Sequence, residues 1–333
     1  EWVALYDSKS GERGIFNRQA AQAQAAKYER RKKDIQYGTN PCSEIILRPK
    51  QFCNLSEVVV TDTDNIQTLE KKIELATILG TIQSCFTSLK GLSSQWTKNT
   101  EEERLLGVSL TGIMDNAMMS NRTKDDLGSI LDSLRKHAVS INKLWAKKLG
   151  IEPSAAITCV KPSGTVSQLV NAASGIHPRH NKYYIRTIRA DKKDPLTQFL
   201  MDQGFPHEDA TEKVDSTVVF SFPMKAPSKA ITRQDITAVE HLKLWKLYAD
   251  YWCEHKPSIT VSVQETEWLQ IANFVYDNFN WQAALIDMPI SVDWEALAAY
   301  ETEDTTVGSQ EFACTANACE VVDFPSSIVA STE

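Results

Sequence analysis

The chain has 333 residues, 42% of them hydrophobic and 24% charged; that is an ordinary globular composition, long enough for one large core or two modest ones, and it argues against general disorder. Lys and Arg number 36 against 43 for Asp and Glu, a net charge of -7, so no broad basic face is expected and a nucleic-acid polymer is not the expected partner, although a local pocket for a phosphate remains compatible with that balance. The most apolar stretch, residues 76–86, is interrupted by Thr77, Gly80, Thr81, Gln83 and Ser84, short of the 18 or so apolar residues a membrane helix requires, and no membrane partner is expected.

The N-terminus, Glu1-Trp2-Val3-Ala4-Leu5-Tyr6-Asp7, has no initiator Met and no basic-then-apolar pattern, and reads as a cut inside a longer protein. Residues 18–33 predict a helix ending in the basic run Arg30-Arg31-Lys32-Lys33. Two short apolar pieces follow, Ile45-Ile46-Leu47 and Val58-Val59-Val60, and both read as buried strand segments. From Ile66 the residues Leu69, Ile73, Ala76, Leu79 and Ile82 recur at helical spacing behind the capping candidates Asp64 and Asn65. A second helix is marked by Thr123 and Asp126 as a capping box, by the stripe Leu127, Leu131, Leu134, Ala138, Ile141 and Trp145, and by Gly150 as its C-terminal stop.

Further on, residues 155–160, 216–222 and 258–263 predict strands, and residues 235–252 and 267–276 predict helices. The mixture is α/β, with no internal repeat and no low-complexity tract. The character changes after residue 300: residues 301–306 are acidic and polar, Cys314 and Cys319 follow, and the end is Ser-rich. A body of residues 1–300 and a mobile tail of residues 301–333 are expected.

Seven cysteines, an odd number spread along the chain, do not resemble a secreted disulfide framework, and a reducing cytoplasm is the expected compartment. One lies in Asn40-Pro41-Cys42-Ser43-Glu44. An isolated Cys beside a Glu is more often packing than chemistry. Yet a thiol and a carboxylate side by side can act together on one small substrate, the sulfur by radical or nucleophilic attack and the carboxylate as base. Pro41 and Asn40 restrict that backbone, and Asn40 can hydrogen-bond at the same place.

A second stretch, Lys161-Pro162-Ser163-Gly164-Thr165-Val166-Ser167, is expected to follow a strand and open a helix. Ser163, Gly164 and Thr165 would then offer amides and hydroxyls to an anion; in isolation Pro-Ser-Gly is more often just a turn. The Gly-Lys-Ser/Thr ending of a Walker A loop is missing. The third feature is the pair Cys314 and Cys319. A zinc site would need two more ligands, and no nearby His supplies one, so no metal site is expected. A close thiol pair on a tail suits disulfide exchange. Cys85 and Cys159 read as core, Cys253-Glu254-His255 as structural, and Tyr183-Tyr184 as strand packing with side chains on opposite faces. His177 and His180 can touch phosphate or merely cap the turn.

Asn40-Pro41-Cys42-Ser43-Glu44-Ile45 followed by Phe52-Cys53-Asn54-Leu55 resembles the finger-loop signature of ribonucleotide reductases, with Ser43 where that family normally has Gly. Residues 100–116, residues 161–167 and Cys253-Glu254-His255 resemble segments of the monomeric, adenosylcobalamin-dependent class II enzymes, in family order. The C-terminal Met-Tyr-Tyr-Leu-Arg setting of class I and the glycyl-radical loop of class III are lacking.

The resemblance implies the following. Cys42 is the thiyl-radical residue that abstracts the 3′-hydrogen, Glu44 is the base at the 3′-hydroxyl, and Asn40 hydrogen-bonds the substrate. Cys53, at 53 − 42 = 11 positions on, is the local reducing cysteine, with its disulfide partner outside this chain. Ser163, Gly164, Thr165, Val166 and Ser167 bind the substrate phosphate, and Cys314 and Cys319 carry electrons from a thioredoxin-like reductant. The fold implied is roughly the second half of a ten-stranded α/β barrel with a finger loop. The cofactor is adenosylcobalamin, the substrate a ribonucleoside triphosphate, and the required partner an N-terminal reductase portion. No Asp-x-His-x-x-Gly cobalamin motif is present, as in that family. The passage from Asn278 to Pro289 is shorter than the resemblance predicts. A remnant or interaction module that keeps the fold without turnover is the alternative.

Overall fold

The computed structural model describes residues 16–121 and 126–279, together with the backbone of residues 314–315 and 318–319. Helix α1 (Arg18–Ala26) is capped by Asn17, whose side chain accepts the Ala20 N–H. The helix expected to reach Lys33 stops early, because Glu29 takes a left-handed φ of 57° and Arg31 turns inward to pair with Glu103. Strands β1 (Gly38–Thr39) and β2 (Ile46–Leu47) then form an antiparallel hairpin with residues 40–45 at its tip. Strand β3 (Asn54–Val59) includes most of the second apolar piece.

Helix α2 (Ile66–Gln83) has a reciprocal cap: Asn65 accepts the Thr68 N–H, and the Thr68 hydroxyl accepts the Asn65 N–H. Leu69, Ile73 and Ala76 are buried as expected, but Leu79 and Ile82 are 61% and 39% exposed. The buried face runs instead through Thr77, Gly80 and Thr81. Gly80 explains the swerve, since a Cβ there would stand 3.1 Å from Leu106 of the sheet. Cys85, just past the helix end, is exposed rather than core.

Helix α3 (Ser94–Glu103) leads into strand β4 (Leu106–Thr111), all six residues of which are buried. At Gly112 φ is +81°, and a Cβ would fall 2.1 Å from the Val60 carbonyl oxygen, so only glycine makes this turn. Helix α4 (Asp126–Leu149) buries Leu127, Leu131, Leu134 and Ala138 and continues with Asn142 and Ala146, while Ile141 and Trp145 are half-buried. Gly150, at φ +68°, follows as expected, whereas Thr123 lies outside the described residues. Strand β5 (Thr158–Cys159) is the paired core of the predicted 155–160 segment, and Cys159 is fully buried.

Strands β3, β4 and β5 form a parallel sheet with β4 central, in the register Asn54↔Leu106 and Ser109↔Cys159. Period-two alternation gives β4 two working faces. Leu106, Val108 and Leu110 join Leu69, Ile73, Leu131 and Leu134 in the main core. Gly107, Ser109 and Thr111 form the other face.

Beyond the sheet come the one-turn helix α5 (Val166–Leu169), strand β6 (Tyr183–Asp191), helix α6 (Pro195–Asp202), strand β7 (His207–Asp209) and strand β8 (Thr217–Lys225). The three strands make an antiparallel sheet in the order β6-β8-β7. The helix expected over residues 235–252 is helix α7 (Ala238–Leu247), opened by a Thr237–Glu240 capping box and closed by a π-helical turn, Tyr248–Trp252. Residues 258–263 alternate in burial, with Ile259, Val261 and Val263 inside, yet they carry isolated bridges rather than a strand, at Thr260 and Val263 and, just before them, from Pro257 to Val160. Helix α8 (Trp268–Asp277) matches the last predicted helix.

Of the remaining expectations, the Asn278–Pro289 passage beyond residue 279 and most of the tail lie outside the described residues. Strands β9 (Cys314–Thr315) and β10 (Ala318–Cys319) are paired antiparallel, with position 314 opposite 319. Among the described residues no helix is long and apolar enough to cross a membrane.

Candidate functional site

The hairpin tip is a built loop. Ser43 N–H donates to the Asn40 carbonyl at 2.9 Å, closing a turn over Pro41 and Cys42. The Asn40 side chain accepts the Ile45 N–H at 2.9 Å and donates to Glu44 Oε1 at 2.7 Å. One asparagine therefore both staples the turn and orients the carboxylate. Ser43 is buried with φ at +61°, a conformation that suits glycine, the residue normally found there in the resembled family. Cys42 is half-buried between exposed Pro41 and buried Ser43.

Glu44 is fully buried and its two oxygens are unequal. Oε1 receives both Asn40 Nδ2 and Lys161 Nζ, the latter at 2.9 Å. Oε2 is buried with no hydrogen-bond partner among the described residues. An ionised carboxylate is acceptor-only, so Oε2 is an open seat for a hydroxyl or ammonium donor. For Lys161, burial works against the charge, but the Glu44 carboxylate outweighs it and holds the ammonium above its ordinary range, with Cys42 adding to the effect.

Cys53 precedes β3 and packs against Leu105, Ala155 and Ala156. Its Sγ lies over Gly107, where a Cβ would come within 3.3 Å of the sulfur and 2.5 Å of Leu55. Burial pushes the Cys53 thiol up, and the Glu44 carboxylate pushes it the same way. It is therefore a protonated thiol at neutral pH, suited to give hydrogen rather than to act as a resting thiolate.

Behind the hairpin runs a buried strip, residues 253–256. Lys256 N–H donates to the Glu44 carbonyl at 3.0 Å. His255 Nδ1 accepts the Ile46 N–H at 3.4 Å, and Nε2 donates to the Leu106 carbonyl at 3.0 Å. Burial keeps His255 neutral by lowering its pKa to about 3. Glu254 pairs with Arg30 and accepts the Ile157 N–H. The structural role expected for Cys253-Glu254-His255 agrees with these contacts. Lys256 Nζ has no hydrogen-bond partner among the described residues; burial lowers its pKa to about 7, against a smaller opposing pull from Glu44.

The hairpin's other flank is an ion cluster. Arg31 is bidentate on Glu103 at 3.2 and 2.9 Å, and Arg48 and Gln51 reach the same carboxylate at 2.7 and 2.8 Å.

The stretch after Lys161 hangs from the second face of β4. Lys161 N–H donates to Ser109 Oγ at 2.8 Å, and Thr111 Oγ1 accepts the Gly175 N–H at 2.8 Å. Asp115 takes the Ala173 N–H at 2.7 Å and a bidentate Arg179, both bonds 2.8 Å. Ser163 N–H is taken by Ser174 Oγ, and Ser167 N–H by Ser163 Oγ. Those two serines are thus occupied in shaping the loop. The amides of Gly164, Thr165 and Val166 have no acceptor among the described residues. Of the five predicted phosphate residues, these three keep open donors. The helix that follows is a single turn, so the open amides rather than a long dipole would carry anion binding. His177 is buried, with Nδ1 toward the Ser174 carbonyl and Nε2 accepting the Thr260 N–H; it caps the turn. His180 lies beside Arg233 on the exposed side.

The structure thus brings Asn40, Cys42, Glu44 and the 161–167 loop to one place through Lys161, with Cys53 beside them. Lys161 and Lys256 are the site groups that sequence reasoning did not single out. The Lys161–Glu44 pair spans 117 positions, and no local spacing announces it. Side chains of Cys314 and Cys319 lie outside the described residues; the backbone pairing alone places the two positions opposite each other.

No protein-family model matches the chain. It is 28% identical over 253 residues to an adenosylcobalamin-dependent ribonucleoside-triphosphate reductase of Euglena gracilis, covering 74% of this chain and 33% of that protein. A reductase of the same name from Lacticaseibacillus paracasei is 28% identical over 309 residues, 82% of this chain and 40% of that one. A probable one from Dictyostelium discoideum is 30% identical over 233 residues, 68% of this chain and 29% of that one. The chain spans between about a third and two-fifths of the length of the first curated relatives it matches. Among solved structures, a B12-dependent class II ribonucleotide reductase superposes with a TM-score of 0.64 at 23% identity, over 77% of this chain and 39% of that one. The alpha subunit of an Actinobacillus ureae class Id reductase superposes at 0.55 and 16% identity, over 87% and 60%. The α/β fold is therefore one shared with ribonucleotide reductase chains, and the expected resemblance to the adenosylcobalamin-dependent enzymes holds.

Proposed function

We propose that this chain, similar to part of the adenosylcobalamin-dependent ribonucleoside-triphosphate reductases, is the portion that carries the reacting residues and reduces ribonucleotides together with an N-terminal portion. Residues 1–300 supply roughly the second half of a ten-stranded barrel, with residues 40–54 as its finger loop, and residues 301–333 are a redox tail. The observation that carries the reading is Glu44: one oxygen is held by Asn40 and Lys161, and the other is buried and open beside a half-exposed thiol.

The residues fit the cofactor's chemistry. Cys42 stands at the turn, reachable from outside, while Glu44 stays inside. Adenosylcobalamin, when bound, supplies the organic radical that turns such a thiol into a thiyl. Cys42 then takes the 3′-hydrogen, to be returned at the end, Glu44 Oε2 takes the proton of the 3′-hydroxyl, and the 2′-hydroxyl leaves as water with a proton from the reducing thiols. Asn40 keeps the base aimed and has one Nδ2 hydrogen left for substrate. Cys53 and a cysteine from outside this chain supply two electrons and end as a disulfide. The amides of Gly164, Thr165 and Val166, in the loop shaped by Ser163 and Ser167, receive the triphosphate. Cys314 and Cys319 return electrons from a thioredoxin-like reductant in a reducing cytoplasm; opposite positions of a two-stranded ribbon lie within the Cα range a disulfide needs.

The test is reduction of labelled CTP with adenosylcobalamin and dithiothreitol, with and without an N-terminal half from a relative. Product is expected only with the added half, and Cys42→Ser abolishes it. No product in a demonstrably assembled complex would favour a remnant that keeps the fold without turnover.

A further inference from the structure

Lys161 belongs to two places at once. Its backbone opens the 161–167 loop, fixed to β4 through Ser109. Its ammonium reaches the hairpin and pairs with Glu44 Oε1 at 2.9 Å. The lysine side chain is 33% exposed, whereas that of Glu44 is fully buried. An ammonium has three donors on a flexible four-carbon stem, and Glu44 is the one hydrogen-bond acceptor of that ammonium among the described residues. Three loop amides without acceptors begin at Gly164, in the same short loop.

We propose that Lys161 is a positioning residue shared between Glu44 and the substrate phosphate: it holds the carboxylate while the loop is empty and moves toward the anion when the loop is filled. This rests on the reading of residues 164–166 as an anion site. A polyphosphate carries more charge than one carboxylate and competes for the same ammonium. Asn40 keeps Glu44 in place when Lys161 leaves. Seating the phosphate thus leaves Glu44 Oε1 to Asn40 alone, and the carboxylate is free of its cation when a hydroxyl arrives at Oε2. Substrate binding and release of the base thereby become one event.

The probe is inorganic tripolyphosphate, which has no ribose and cannot use Glu44 as a hydrogen-bond partner for a sugar hydroxyl. Its affinity is measured by calorimetry on the chain, with amide NMR shifts of Gly164, Thr165 and Val166 as the map. Lys161→Met is expected to weaken binding roughly ten-fold, the worth of a charge-assisted hydrogen bond. Glu44→Gln is expected to tighten binding, because the competitor is gone, and that tightening should vanish in the Lys161→Met background. Lys161→Arg, which keeps the cation, should restore both the affinity and the tightening. Equal tightening by Glu44→Gln in both backgrounds would mean plain through-space repulsion and overturn the sharing. Unchanged affinity in Lys161→Met with the amide shifts intact would overturn it too, leaving the loop as an anion site. Absence of shifts at residues 164–166 would remove both ideas.

Discussion

Replacing Lys256 by Met should make the protein more stable, and by an amount that depends on pH. The ammonium sits in the strip behind the hairpin, 5% exposed, with no hydrogen-bond partner among the described residues and the Phe16 ring 5.8 Å away. Burial lowers its pKa from 10.5 to about 7, the Glu44 charge offsetting only part of this. At about 1.4 kcal/mol per pH unit, that gap costs the folded state on the order of 3–5 kcal/mol wherever Lys256 must stay charged. The folded value lies below the unfolded one, so between pH 7 and 10.5 the unfolded chain holds a proton that the folded chain lacks. Stability from this group therefore rises with pH across that window, and the cost is complete below it. Methionine has similar length and no charge to bury. Urea unfolding followed by tryptophan fluorescence, at steps from pH 6 to 11, should show the variant ahead by several kcal/mol at pH 6 and the two proteins converging above pH 10. A difference that does not change with pH, or a wild type more stable at pH 6, would refute the reasoning.

Glu103→Gln leaves Arg31 and Arg48 without their shared carboxylate, so urea unfolding should show a loss of about 3–5 kcal/mol, as for other broken buried pairs. His255, held neutral with its pKa at about 3 against an ordinary 6.5, should make stability fall as pH drops below 6.5, by about 1.4 kcal/mol per unit; His255→Gln, which can keep one donor and one acceptor, should flatten that acid limb in the same unfolding assay. Ser43→Gly removes the left-handed strain at φ +61° and should raise stability by up to about 1 kcal/mol in thermal unfolding.

Local signals in the sequence suffice where local physics decides. The Asn65 cap, the Leu127–Ala138 stripe and the Gly150 stop are set by neighbours within a turn or two, and all three appear in the structure. The segment 258–263 alternates because one side is buried, yet a strand also needs a continuous partner edge, and here the segment meets isolated bridges instead. Helix α1 is short because Arg31 is claimed by Glu103, 72 positions away; no propensity within residues 18–33 registers that. Leu79 and Ile82 continue a helical stripe in the sequence, but Gly80 lets Leu106 in and turns the buried face. The same holds at the candidate site. Asn40, Cys42 and Glu44 stand together in the chain and are legible as a cluster, whereas Lys161 and Lys256 reach Glu44 only through tertiary folding.

The strip at residues 253–256 also bears on when the hairpin loop can take shape. Its bonds to Ile46 and to the Glu44 carbonyl join segments about 200 positions apart, 209 in the case of His255 and Ile46. Helices α2 and α4 need only nearby chain and can form while synthesis is under way. The loop that holds the thiol beside the carboxylate lacks its rear support until Lys256 has left the ribosome. A nascent chain that has not reached that point carries Cys42 and Glu44 as ordinary side chains, and the two become a site only once residue 256 has emerged. Hydrogen exchange on stalled chains ending before and after residue 256 would show protection at Ile46 appearing only in the longer set.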